Sequence, residues 1–75
     1  MIDKKSLQIA IGKRIRELRE ERNIPQQVLA NTCNFEKSNF SRLEAGGTNP
    51  TIYTLSIIAD RLKVNLNELT TFKID

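Results

Sequence analysis

Lys37, Ser38, Ser41 and Arg42 fall on one arc of a helix wound at 3.6 residues per turn, with Phe40 and Leu43 on the opposite arc. Two long cations and two short hydroxyls on one face do recognition chemistry. Lysine and arginine donate to acceptors such as O6 and N7 of guanine. Serine bonds several base edges and is small enough to allow close approach. Covalent and metal chemistry find no comparable set. The chain has no histidine and one cysteine, which removes most zinc sites, catalytic triads and general-base dyads. Asp60 and Glu68 as a carboxylate pair have nothing around them that suggests a pocket, and no glycine loop has phosphate-cradling spacing. No enzyme activity, cofactor or metal is expected.

That arc must be held out by neighbouring elements, and the apolar pattern supplies five helices. Leu7, Ile11, Ile15 and Leu18 form one stripe on a helix from about Lys5 to Arg22, ended by Asn23, which tolerates a left-handed C′ position. Ile24-Pro25 opens a second helix, about Gln26 to Cys33, with Leu29, Ala30 and Cys33 inward and Asn34 as its breaker. The third runs from about Lys37 to Ala45. Phe35 and Phe40 have the spacing of a hydrophobic staple across its start. Gly46-Gly47 ends it and Thr48-Asn49-Pro50 is a loop. A fourth begins near Thr51, with Ile52, Leu55, Ile58, Ala59 and Leu62 at helical spacing. A fifth follows Lys63-Val64, where Asn65 and Glu68 form a capping-box pair and Leu66 and Leu69 supply the apolar side. The tail 70–75 alternates Phe72 and Ile74 and reads as a frayed end, a short strand or a dimer contact.

Short connections and no strand predict a compact all-α fold in one domain, residues 1–75, with its core at about 7–69. At 75 residues the chain buries only about 60% of its unfolded surface, so each core side chain counts. Hydrophobic residues are 39% and charged residues 28%, an ordinary globular mixture. The uncharged stretch 48–59 is too short and too polar to cross a bilayer, and the N-terminus does not read as a signal peptide. A lone thiol suits a reducing interior, so a cytoplasmic location is expected. The net charge is +3, and the whole excess lies in the first 22 residues, where seven basic residues meet four acidic ones. Such a balance points weakly to a polyanionic partner, and it also fits a solvated helix laced with ion pairs.

Two short helices joined by a tight turn are the helix-turn-helix arrangement, whose second helix enters the major groove of DNA. The ordered set Gln26-x-x-Leu29-Ala30, Ser41-x-Leu43-Glu44-x-Gly46, Asn49-Pro50 and Leu55-x-x-Ile58-Ala59-x-x-Leu62 resembles the Cro/repressor-type, or XRE-type, helix-turn-helix domain. The resemblance covers about 11–69. It implies a five-helix lambda-repressor-like fold, with residues 37–44 as the recognition helix. Gln26 would bond a DNA phosphate. Lys37, Ser38, Ser41 and Arg42 would face the groove, with Asn39 near the backbone. Glu44 would pair with Arg19, pinning the recognition helix to the first.

The chain departs from the pattern at several points. Pro25 and Glu36 stand where Ser or Thr caps are usual, and Asn34 and Lys63 replace turn glycines. The loop 45–50 lacks basic residues, leaving the backbone N–H groups of Gly46, Gly47 and Thr48 as substitutes toward phosphate. Tyr53 and Ile57, off the main stripe of the fourth helix, with Leu66 and Phe72, form an interface or are scattered surface residues. The expected function is a sequence-specific regulator of transcription, binding double-stranded DNA as a homodimer on a palindromic operator. The alternative is an antitoxin or another interaction module that covers a partner protein such as a toxin.

Overall fold

The computed structural model describes residues 2–73 and contains four α-helices and a 3-10 turn, with no strand among the described residues. Helix α1 spans Lys4–Glu21. Asp3 caps it, its carboxylate accepting from the Ser6 N–H and the Ser6 hydroxyl, both at 2.9 Å. Ile15 and Leu18 turn inward, and Asn23 closes the end at φ 56°. Helix α2 is Gln26–Thr32 and α3 is Lys37–Glu44. Neither has a side-chain cap, since Pro25 has none to offer and the Glu36 carboxylate does not bond the helix. The turn between them is made by Asn34 at φ 62°, while the Phe35 N–H reaches back to the Ala30 carbonyl at 2.8 Å. Asparagine is among the few residues that enter this left-handed region readily.

Helix α4, Ile52–Leu62, is capped by Thr51, whose hydroxyl accepts from the Thr54 N–H at 3.1 Å. Lys63 ends it in the left-handed conformation at φ 61°. The fifth element is a 3-10 turn, Leu66–Thr70, rather than an α-helix. Five residues can close almost no i→i+4 bonds, so the tighter turn is the natural form. The hydroxyls of Thr70 and Thr71 also take the Asn67 carbonyl, at 3.1 and 2.8 Å, which diverts it from a continuing helix. The Glu68 carboxylate accepts from the Asn65 N–H at 3.1 Å.

One core joins all five elements. Phe40, Ile15, Leu29, Ile58, Leu62 and Leu69 are its largest fully buried side chains, each stabilising the fold by roughly 1.5–3 kcal/mol on transfer from water. Phe35 stacks on Phe40 with ring centroids 6.4 Å apart, stapling the entry to α3. Two arginines tie segments distant in sequence through backbone carbonyls. Arg14 donates to the Glu68 carbonyl at 2.8 Å and Arg61 to the Thr32 carbonyl at 2.9 Å. No helix of the described residues is long and apolar enough to cross a membrane.

Candidate nucleic-acid interface

Helix α3 buries Phe40, Leu43 and Glu44 and exposes Lys37, Ser38, Asn39, Ser41 and Arg42. The exposed five carry cationic, hydroxyl and amide donors along little more than two turns, with no apolar residue among them. The back of the helix is fixed by an ion pair between α1 and α3. Arg19 Nε donates to Glu44 Oε2 at 2.7 Å and Nη2 to Oε1 at 3.0 Å, a bidentate fork, with the side chains 10% and 3% exposed. Arg19 Nη1 also donates to the Ile24 carbonyl at 2.8 Å, so the same guanidinium holds the loop before α2. The hydrogen bonds that the guanidinium donates to Glu44 hold it above its already high ordinary pKa.

Gln26, at the start of α2, donates to Glu44 Oε1 at 2.9 Å. It therefore joins the network that positions α3. An amide nitrogen carries two hydrogens, so one remains available to an oxygen outside the protein.

The close approach of α1 to α3 depends on Gly12. A Cβ placed there would meet the carbonyl oxygens of Leu43 and Glu44, the latter at 2.6 Å. The far end of α3 is clipped to α1 again. Gly46, at φ +84°, donates to the Leu43 carbonyl at 3.1 Å, and its own carbonyl accepts from Lys5 Nζ and Gln8 Nε2, both at 3.3 Å. Gly47 N–H donates to the Arg42 carbonyl at 2.8 Å. The two glycine N–H groups expected to face phosphate are therefore used to close α3, because a helix end must satisfy its last carbonyls first. Of the three substitutes, only the Thr48 N–H has no partner among the described residues.

The four residues grouped as an interface differ in exposure and surroundings. Tyr53 is 74% exposed beside Ile52 at 69%. Ile57 and Leu66 are partly buried and pack against the core. Phe72 lies in a separate hollow over α1, with Ile9, Ala10 and Lys13. Ile74 lies outside the described residues. Cys33 is buried, and burial pushes its thiol above the ordinary value, with Arg61 and Thr32 only partly opposing this. That suits a small core residue. The sequence did not point to Gly12 as the seat of α3, nor to Lys5, Gln8, Arg14 and Arg61 as clips. A polar side chain that bonds a carbonyl tens of residues away leaves no periodic mark.

The helix-turn-helix family HTH_3 matches residues 15–69 of the chain. Among solved structures, the restriction-modification controller protein C.AhdI from Aeromonas hydrophila is 28% identical with a TM-score of 0.78, over 81% of this chain and 92% of that one. SinR, a master regulator for biofilm formation solved in complex with DNA, is 33% identical with a TM-score of 0.74, over 80% and 97% of the two chains. The clp gene regulator ClgR from Corynebacterium glutamicum, at 20% identity, shares the fold with a TM-score of 0.83 over 85% of this chain. Among curated proteins no sequence matches. With the exposed polar face of α3, the buried pair behind it, and a family match over most of its length, the chain belongs to the XRE-type helix-turn-helix family HTH_3.

Proposed function

We propose that this chain is a transcriptional regulator that binds double-stranded DNA, with α3 in the major groove. The observation that carries the reading is the division of α3. Its buried side is locked by Phe40, Leu43 and the Arg19–Glu44 pair, while its five remaining side chains are polar and exposed. In this reading Arg42 and Lys37 donate to guanine, and Ser38 and Ser41 bond base edges. Asn39 and the free N–H of Gln26 meet the backbone. The likeness to SinR, solved with DNA, and to the controller C.AhdI supports it.

One recognition helix reads too few base pairs to single out a site in a genome. The chain therefore acts as a homodimer on a palindromic operator, with half-sites about one helical turn apart. The exposed Ile52 and Tyr53 on α4 are the apolar residues assigned to the dimer contact in this reading. Selection of bound duplexes from a random pool tests the proposal. The expected product is an inverted repeat whose binding weakens steeply with salt. Arg42→Ala should relax the preference at one position of each half-site. No enriched sequence, or one with no symmetry, overturns the respective parts.

A further inference from the structure

The exposed arc of α3 has two flanks, and they differ in chemistry. On the Asn39 flank lies a hollow of about 360 Å³ lined by Phe35, Phe40, Leu43 and Pro50 together with five polar residues, of which the one charged group is the Glu36 carboxylate. On the Ser41 flank lies a second hollow, about 330 Å³, lined by Arg16, Arg19, Gln26, Ser41, Glu44 and Ala45. A duplex seated on α3 brings one sugar–phosphate strand along each flank, because the helix lies between the two rims of the groove. The second flank is the one furnished for an anion.

Two of its charges are spent. Arg19 and Glu44 neutralise each other in a buried fork. Arg16 is different. It sits on α1, its side chain is 62% exposed, and its partner Glu20 lies four residues on at 3.2 Å with 56% exposure. An exposed pair of this kind is held by only a few tenths of a kcal/mol, so a phosphate can displace the carboxylate. We infer that Arg16 is a DNA-backbone clamp on the Ser41 flank of the recognition helix, held in reserve by Glu20, which a phosphodiester displaces on binding. The inference rests on α3 entering the major groove. It gives one member of the basic excess in α1 a defined role: Arg16 contacts phosphate from an element outside the helix-turn-helix.

The test measures binding of the full chain to a mixed-sequence duplex and to the selected site across a salt series. Arg16→Ala is expected to weaken both duplexes alike, by about fivefold at low salt, and to lower the slope of log K against log salt by about 0.9, the value for one phosphate. Arg16→Lys should restore most of the slope. Glu20→Gln should tighten both duplexes by about two- to threefold, since it removes the competitor. Lys73→Ala removes the same charge from the hollow on the other side of α1 and should leave the slope almost unchanged. An unchanged slope in Arg16→Ala overturns the clamp while leaving the regulator reading intact, provided wild type binds and Arg42→Ala alters site preference. A wild-type chain that binds neither duplex overturns both. Thermal unfolding of Arg16→Ala should match wild type, which separates loss of a contact from loss of the fold.

Discussion

Removing the guanidinium of Arg19 strands the Glu44 carboxylate, whose side chain is 3% exposed. The loss should be large, about 3–5 kcal/mol for Arg19→Ala in urea unfolding, because a buried charge is left with only the Gln26 amide. Replacing both partners, Arg19→Met with Glu44→Leu, should recover most of it. A pair worth nothing would show the same small change in each single variant. Asp3 makes a second residue-level claim. The Ser6 N–H and hydroxyl hold its carboxyl below the ordinary 3.8. A lowered folded pKa means that the cap's contribution is present above that ordinary value and is lost as pH falls through the folded one. Melting temperature followed into acid should therefore drop less in Asp3→Asn, which keeps an N-cap acceptor but does not titrate. Equal acid sensitivity in the two proteins would remove the cap from the account.

At the scale of elements, α1 is the platform for α3, and Gly12 is where they touch. Gly12→Ala forces a Cβ against two backbone carbonyls, which cannot swing aside as a side-chain end can. Overpacking of this kind costs about 1–3 kcal/mol, and the displaced element is α3, the proposed recognition helix. Affinity for DNA should fall more than stability does, measured well below the melting temperature. Lys63 offers the opposite sign. It holds φ 61° as the C-cap of α4. Lys63→Gly should stabilise by about 1 kcal/mol, read from the urea midpoint, because glycine enters this region without steric cost. These two positions also mark how far the sequence could be read. Helices α1 to α4 were legible because apolar stripes, Asn23, Asn34 and the two glycines punctuate them within one or two residues. The exposed arc of α3 was legible for the same reason, since a short helix with three anchoring residues has only one way to face. The Arg19–Glu44 tie between α1 and α3 was implied by the resemblance, but the Gly12 seat was not, because it joins Gly12 to backbone atoms more than thirty residues away. The end of α3 was misjudged at Gly46 and Gly47, whose N–H groups serve the helix rather than an outside anion. The form of the fifth element turned on threonine hydroxyls competing for one carbonyl, which helical periodicity does not register.

At the scale of the whole molecule, the dimensions constrain how the proposed dimer would read one operator. The chain measures 35 × 23 × 21 Å, so two copies side by side place equivalent points about 20–35 Å apart. Adjacent major grooves on one face of a duplex repeat at about 34 Å, within reach of a dimer whose contact lies away from α3. The exposed Ile52 and Tyr53 belong to α4, which leaves α3 free to enter the groove. Replacing Tyr53 with glutamate puts a charge into the proposed dimer contact at no cost to the core, since the residue is already 74% exposed. The expected result is a monomer by sedimentation at concentrations where wild type is dimeric. Operator affinity should fall by about 10²–10⁴-fold, because the second half-site no longer sees a tethered partner. Binding to mixed-sequence duplex should change far less, since each copy keeps its own phosphate contacts. If Tyr53→Glu remains dimeric with full operator affinity, the copies meet through another face. The partly buried Phe72 over α1 would then be the next residue to replace.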